Sequence, residues 1–548
     1  MTLTQSSQPA TTTDTFRILA ADKLAEQGLA YLRAQDDVEL TYKPGMTEDE
    51  LAAIVGEHDG LIVRSGVKVT AKVLENPGRL KVIARAGVGV DNIDLNAATA
   101  KGILVINTAE ASTITTAEHA FALLMAMARN IGPAYRRMTE GGWDRNKFEG
   151  RQLAGKTLGV VGFGRIGRTV AQRALAFDMK VVAFDPLVRS ETELDGAVKM
   201  YRVFEEMLPH VDILTFHVPL NDQTRGMLNR ETFALCRDGV LVVNAARGGV
   251  VDEEALLEAL DSGKCGGAAL DVFTTEPPPA DSPLRKHPKL LVTPHLGAST
   301  IEAQEAVSVG AAEALLDYLR GKDIRGAVNA GGLRLDLNPD QLAFVDLADR
   351  MTQLVSPMIT AGIASVTFEL SSNKLAAAAQ TIERVGLIGL LSRHMTMPLN
   401  VVNVAHVAQQ YGITVRTVTE ENEREHGRKI SIRVESPDGK EVRRIVGCVY
   451  HDLRPRVIEI NGYHMDMVPA GDMVLIQNED RPGMIGLVGA EFGKAGINIA
   501  DMAISRRNAT ALMVLKVDHA PASELLETLR SKPGILKVAA VKLPPERQ

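Results

Sequence analysis

The sequence predicts an α/β chain: two doubly wound lobes, one of them discontinuous, then an α+β intervening domain and a ferredoxin-like βαββαβ tail. Three observations carry this. Short apolar strands alternate with amphipathic helices through roughly the first 320 residues, the pattern of parallel βαβ units. A glycine-rich turn, GFGRIG at 162–167, joins one such strand to a helix. From residue 472 the order becomes strand, helix, strand, strand, helix, strand. A length of 548 residues leaves room for three or four domains at about 150 residues each.

In chain order, FRILAA (16–21) reads as a short apolar strand and LAEQGLAYLRAQ (24–35) as a helix with apolar residues at helical spacing. VELTYK is another strand. TEDELAAIVGEHDG opens with a Thr47–Glu50 capping box and ends in glycine, the start and stop signals of a helix. GLIVRS (60–65), KVIARAG (81–87) and ILVINT (103–108) complete the first strand series. TTAEHAFALLMAMARNI (115–131), with a second box from Thr115 to Glu118, reads as a long helix linking the lobes; His119 falls in its first turn, with a structural role. The second series runs through TLGVVGFGRIG (157–167), KVVAFDP, ILTFHVP, VLVVNAARGG, AALDVF and LLVTPH. A third box, Ser299 to Glu302, opens a helix that returns the chain to the first lobe. The signal changes after GKDIRGAVNAGG (321–332), and residues 335–470 mix strands such as ASVTFEL and KISIRVES with helices. In the tail, MVLIQ, INIADMAISR, TALMVLKVD and ILKVAAVKL are strands, and MIGLVGAEFGKAG and SELLETLRS are helices.

Composition narrows the function classes. A formal net charge of −7 gives no basic footprint for nucleic acid. Cys236, Cys265 and Cys448 lie far apart, so neither a zinc site nor a disulfide framework is indicated, and they read as small buried fillers in a reducing, cytoplasmic setting. No metal-ligand spacing occurs. The longest apolar run, AFALLMAMA (120–128), is too short to span a bilayer. Residues 1–14 are polar and Ser/Thr-rich, a loose tail without an apolar signal segment. Trp143 reads as a packing anchor near the lobe junction.

The chemistry concentrates in the second strand series. Gly162, Gly164 and Gly167 form G-x-G-x-x-G between a strand and a helix, so a pyrophosphate can sit on the helix N-terminus. The next strand ends at Asp185, 18 residues on, where a carboxylate accepts from ribose hydroxyls and repels a 2′-phosphate, favouring NAD over NADP. Arg247 lies just past VLVVN, Glu276 just past ALDVF and His295 just past LLVTP. Sites in doubly wound sheets lie at the carboxyl ends of strands, so these three groups would converge beside the nicotinamide. A guanidinium binds a carboxylate with two parallel bonds, an imidazole takes or gives the hydroxyl proton, and a carboxylate on the other ring nitrogen stabilises imidazolium.

These segments resemble the D-isomer-specific 2-hydroxyacid dehydrogenases, and within them the branch acting on D-3-phosphoglycerate. The match is dense from about Val63 to Asn329 and includes RAGVGVDNID (85–94), WDRNKFEG (143–150), NAARGGVVDE, ALDVFTTEPP and HLGAST. The resemblance implies two Rossmann-like lobes, a substrate-binding one at 15–112 and 297–330 and an NAD-binding one at 113–296. It makes Arg247 the substrate-carboxylate arginine, His295 the acid/base and Glu276 its partner; the formate dehydrogenase branch has glutamine in place of Glu276. It assigns Arg165, Ile166, Ala245, Asp271 and Gly297 to the NAD site, together with Arg247, His295 and His217. For His217, in TFHVP, a packed, hydrogen-bonded role is the alternative. Phosphate binding falls to Arg64 and Ser65, with Lys68 following, and to Arg145 and Lys147, which in the family reach a neighbouring subunit's site. Two departures stand out: Val67 replaces a usual threonine, and NTAEAST lacks the usual proline, glycine and asparagine, so Glu110 would oppose a phosphate if it points inward.

Residues 331–470 resemble the intervening domain of the long-form branch, through NVVNVAHVAQQYGI (400–413) and VIEINGYHMD (457–466), with Tyr463 where some relatives carry arginine. Residues 471–548 resemble an ACT domain, a module that binds amino acids between paired copies. In NEDRPGMIG (478–486), Asp480 can cap the following helix, Pro482 suits its first turn and Gly483 allows close approach. The resemblance assigns Asp480 and Asn498 to an L-serine effector site; Asn478 stands there where relatives carry tyrosine or histidine. The expected activity is oxidation of D-3-phosphoglycerate by NAD to 3-phosphohydroxypyruvate, the entry to L-serine synthesis, in a homo-oligomer. Two alternatives stay open: a general hydroxypyruvate or glyoxylate reductase, and a non-enzymatic NAD-sensing binding protein, which shares the fold but calls for partner-recruiting segments that are not found here.

Overall fold

Strands that are apolar on both faces demand cover on both sides, and the chain answers with two parallel sheets flanked by helices. The computed structural model describes residues 15–420 and 428–546; the tail expected at 1–14 lies outside the described residues. The chain divides into two compact units, one made of residues up to 23, 30–107 and 311 onward, the other of 24–29 and 108–310.

The first unit begins with β1 (Phe16–Ala20), β2 (Val38–Tyr42), β3 (Gly60–Val63), β4 (Val82–Arg85) and β5 (Leu104–Asn107). They form a parallel sheet in the order β2-β1-β3-β4-β5. This is the flavodoxin-like order of a doubly wound fold. The Thr47–Glu50 capping box forms as read, each partner satisfying the other's backbone N–H. The end of the helix Ile301–Leu319 belongs to this unit, and just beyond it Arg320 bridges Asp37 and Gln35.

The second unit holds β6 (Thr157–Val161), β7 (Lys180–Phe184), β8 (Thr192–Glu193), β9 (Val198–Tyr201), β10 (Ile213–Phe216), β11 (Val240–Asn244), β12 (Cys265–Leu270) and β13 (Leu290–Val292). The order is β13-β12-β11-β10-β6-β7-β9-β8, parallel except for β8. Its central six strands follow the Rossmann order, and the order reverses between β6 and β10. The core lies on both faces of this sheet: Val160, Leu158 and Val243 pack on the helices Thr113–Ala128 and Arg165–Ala176, and Val161, Phe216 and Val242 on the other side.

Two expected capping boxes do not form. The linking helix starts at Thr113 after Ser112, which puts Thr115 inside its first turn and His119 in the second; Thr115 bonds Thr300 and Glu118 pairs with Arg173. At the next helix the side chain that caps is Thr300, accepting from the Ala303 N–H, rather than Ser299. In the linking helix distant polar partners replace the local pairing, and at the later helix the cap shifts by one residue. Trp143 is 78% exposed, so it is not a packing anchor in this unit. The three cysteines are buried, as fillers are.

The rest of the first unit carries β14 (Ser365–Leu370), β15 (Thr414–Thr419), β16 (Lys429–Glu435), β17 (Val442–Val449), β18 (Pro455–Ile460) and β19 (Tyr463–Met467), a mixed sheet in the order β15-β14-β16-β17-β18-β19. Then come β20 (Asp472–Glu479), β21 (Ile499–Arg507), β22 (Thr510–Val517) and β23 (Ile535–Lys542), antiparallel in the order β21-β22-β20-β23. This is the ferredoxin-like arrangement. Strand alternation gives that last sheet two apolar faces. Val474, Ile476, Met513 and Leu515 meet its own helices, while Met473, Leu475, Leu512 and Val514 join the core of 337–467. The buried Arg350 ties them: it pairs with Asp346 and donates to the carbonyls of Pro469, Pro544 and Pro545, which lie together where β20 begins and β23 ends.

Candidate active site

The glycine-rich turn sits where the sheet order reverses. Gly162 has φ +91°, and a Cβ there would lie 2.6 Å from the His217 carbonyl oxygen. A Cβ on Gly167 would lie 2.0 Å from the Gly162 oxygen, so the helix Arg165–Ala176 can press against β6 only with glycine at both positions. Around Gly164 nothing lies within 4 Å of a would-be Cβ, which leaves the helix start, with Arg165 and Ile166, open to a pyrophosphate. Asp185, just past β7, accepts the N–H groups of Phe163 and Leu187, each at 2.8 Å. These bonds fix the carboxylate and leave lone pairs for ribose hydroxyls. The donor set therefore fits NAD. Glu110 forms an ion pair with Arg165 at 2.6 Å, so its charge is directed at the glycine-rich turn. The His217 ring bonds Thr215 at 3.0 Å, and burial lowers its pKa to about 4, so it is neutral at pH 7. Its backbone carbonyl, not its ring, abuts Gly162.

Along the carboxyl edge, the loops after β11, β12 and β13 carry Arg247, Glu276 and His295, the expected catalytic residues. His295 Nδ1 lies 2.7 Å from Glu276 Oε2, and the other Glu276 oxygen accepts the Phe273 N–H at 3.0 Å. The carboxylate must receive the proton of Nδ1, which leaves Nε2 free to take or give one. Arg247 follows β11; Asn244 holds its loop by accepting from the Ala246 N–H and donating to the Arg247 oxygen. That loop lies against the one bearing Glu276, since a Cβ on Gly248 would fall 1.9 Å from the Phe273 oxygen. Arg247 and Glu276 thus sit on loops in direct contact. Ala245, just past β11, is buried in the core shared with the helices Thr113–Ala128 and Arg165–Ala176.

His295 adopts φ +55°. A left-handed conformation costs a non-glycine residue roughly 1–2 kcal/mol. Asp271, fully buried after β12, offsets this by gathering the loop around itself. Its carboxylate accepts from the Thr293 hydroxyl at 2.6 Å and from the N–H groups of Leu296 and Gly297 at 2.8 Å each. Its backbone oxygen accepts the His295 N–H at 2.9 Å. Burial pushes the Asp271 pKa up, but the hydrogen bonds from His119, Thr293 and Leu296 outweigh it and hold the group below its ordinary value. Thr293 and Glu253, which accepts the Thr274 N–H at 2.6 Å, are supporting residues that motif reading did not single out. Glu253 closes the matched segment NAARGGVVDE and Thr293 stands two positions before HLGAST, the signal that would have found them.

The remaining residues are spread over both units. Arg145 and Lys147 lie on a short 3₁₀ turn of the second unit, with Lys147 3.8 Å from Asp144. Arg64 and Ser65 belong to the first unit; the Arg64 backbone is held by Asp22 and Asn92, and its guanidinium donates to the Lys23 oxygen. In the tail, Gly483 is the N-cap residue of the helix Met484–Lys494, with no side-chain cap. Asp480 pairs instead with Arg506, at 3.2 Å, and Pro482 precedes the helix, so neither has the helix-start role read from the sequence. Asn498 donates to Asp518 at 3.2 Å. Asn478 donates to the Glu479 oxygen, while its own amide oxygen is buried with no hydrogen-bond partner among the described residues. Among the described residues no cluster of His, Cys, Asp or Glu could hold a metal ion, and no helix is long and apolar enough to cross a membrane.

Residues 121–297 match the family model of the D-isomer specific 2-hydroxyacid dehydrogenase NAD binding domain, 341–461 the D-3-phosphoglycerate dehydrogenase intervening domain, and 473–534 the ACT domain. Fold and site therefore define an NAD-dependent 2-hydroxyacid dehydrogenase. The chain is 39% identical over 531 residues to D-3-phosphoglycerate dehydrogenase of Archaeoglobus fulgidus and 38% identical over 532 residues to that of Bacillus subtilis, covering 96% of this chain and 100% of each relative. It belongs to the D-3-phosphoglycerate dehydrogenase family. Among solved structures it resembles an NAD-dependent formate dehydrogenase from Staphylococcus aureus in complex with NAD, at 29% identity and a TM-score of 0.52, over 57% of this chain and 98% of the other. A glyoxylate reductase from Paecilomyes thermophila gives 29% and 0.53 over the same shares.

Proposed function

We propose that this enzyme oxidises D-3-phosphoglycerate to 3-phosphohydroxypyruvate with NAD, the first committed step toward L-serine, in the cytoplasm. The observation that carries the reading is the His295–Glu276 bond at the carboxyl edge of a Rossmann sheet, in a chain whose full-length relatives act on that substrate. Arg247 binds the substrate carboxylate through two parallel bonds and polarises the adjacent carbon. His295 Nε2 removes the hydroxyl proton as the carbon–hydrogen bond is lost, and Glu276 stabilises the imidazolium so formed. NAD, when bound, supplies the hydride acceptor. Acid–base help of this kind is worth about 10²–10⁴-fold. Arg64, Ser65, Arg145 and Lys147 bind the 3-phosphate.

The enzyme acts as a homo-oligomer. Support comes from an exposed apolar stripe of Ile131, Tyr135 and Met138, followed by Trp143, immediately before Arg145 and Lys147. Pairing there would deliver these cations to a neighbouring subunit. L-Serine is the regulator, bound at the tail near Asp480 and Asn498; the unpartnered Asn478 oxygen and the open helix start at Gly483 support this. Steady-state kinetics with 3-phosphohydroxypyruvate, hydroxypyruvate and glyoxylate, with and without L-serine, test the reading. A marked preference for the phosphorylated acid is expected; equal kcat/KM on glyoxylate would make the enzyme a general reductase.

A further inference from the structure

His119 stands on the linking helix Thr113–Ala128, in the same compact unit as Arg247, Glu276 and His295. Its Nε2 lies 3.1 Å from Asp271 Oδ1 and 3.4 Å from the Thr293 hydroxyl. A carboxylate only accepts, so Nε2 carries the proton and donates to Asp271. Asp271 is fully buried and is the hub from which the Thr293–Gly297 turn hangs, with His295 at its centre in a left-handed conformation. The neighbour of His119 in sequence, Glu118, pairs with Arg173 at 3.0 Å. His119 thus reaches this hub from the linking helix.

We propose that His119 is a positioning residue for hydride transfer: by donating to the buried Asp271 carboxylate, it holds the turn that carries His295 in its working geometry. Without that donor Asp271 keeps three neutral donors but loses the ring that faces it from the helix. A buried carboxylate short of a donor either draws the turn toward itself or takes up a proton, and both move His295. This rests on His295 as the acid/base.

The test compares His119→Phe, which keeps the ring volume without a donor, with His119→Gln, whose amide nitrogen can stand near the Nε2 position. Turnover is read with 3-phosphohydroxypyruvate as a function of pH, beside NADH binding by fluorescence and thermal melting. We expect His119→Phe to lose about 10- to 100-fold in kcat, with NADH affinity within about three-fold and the acid limb of the pH profile moved to higher pH. His119→Gln should restore kcat to within about five-fold and return the profile. Equal losses in both variants, or an unmoved profile, would reduce His119 to a packing residue and overturn the proposal. Should His119→Phe not fold, His119→Leu carries the same comparison. Wild-type turnover and its loss in His295→Ala are measured alongside. They report on the acid/base assignment separately from the His119 comparison.

Discussion

His295 Nδ1 and Glu276 Oε2 lie 2.7 Å apart, on loops that follow β13 and β12. The pair leaves one imidazole nitrogen free for the substrate and binds the other. His295→Ala should lower kcat by about 10²–10⁴-fold while NADH binding changes by less than about five-fold. Glu276→Gln should lower kcat in the same range, because an amide can hold the ring in either tautomer and no longer stabilises imidazolium. Stopped-flow turnover and NADH fluorescence titration check both; equal losses in turnover and binding would count against acid/base chemistry.

Gly248 lets the Arg247 loop lie against the Glu276 loop. In Gly248→Ala the new Cβ would meet the Phe273 oxygen at 1.9 Å, and backbone has nowhere cheap to go. The expected cost is about 1–3 kcal/mol of stability, seen as a lower Tm. Activity should fall further than stability, by 10-fold or more on the order of one displaced loop, as Arg247 and Glu276 separate. Unchanged kcat/KM would show that the two loops need not touch.

Asp185, just past β7, is expected to discriminate between NAD and NADP, because its carboxylate, fixed by the Phe163 and Leu187 N–H groups, would repel a 2′-phosphate. Asp185→Ser removes the repulsion and keeps a small polar group. The ratio of kcat/KM for NADP over NAD should rise by about 10- to 100-fold, or roughly 1.4–2.8 kcal/mol. A ratio that stays put would place the discrimination elsewhere.

Asp349, on the helix Pro339–Val355, is 2% exposed, and burial raises its pKa to about 6. One of its carboxylate oxygens has no hydrogen-bond partner among the described residues. The folded state thus holds a proton that the unfolded chain releases above about pH 4. The stability this confers is full below pH 4 and is lost as pH rises through about 6, on the order of 3 kcal/mol for a shift from 3.8 to about 6. Hydrogen exchange along that helix should quicken from pH 4 to 6, beyond the intrinsic rate increase. In Asp349→Asn this extra dependence should vanish; its persistence would mean another group is responsible.

Much of this was legible in the sequence because the signals are local. Strand and helix periods, the G-x-G-x-x-G turn and the βαββαβ tail each depend on residues within about 15 positions of one another. The positions of Arg247, Glu276 and His295 at strand ends followed from the same periodicity. Local reading failed where a polar group had a choice of partner. Thr115 bonds Thr300, Glu118 pairs with Arg173 and Asp480 pairs with Arg506, each preferring a distant group to the cap next to it in sequence.

By itself, then, the sequence determined which elements form, which strand ends carry an arginine, a glutamate and a histidine, and which cofactor the glycine-rich turn suits. Only the tertiary structure decided that Asp271 is the buried hub of the His295 turn, that His119 faces it from 152 positions upstream, and that Gly248 brings the loops bearing Arg247 and Glu276 into contact. The reason is physical: hydrogen bonds reach about 3 Å and burial depends on everything packed nearby, so such partners are set by the folded chain and not by spacing along it.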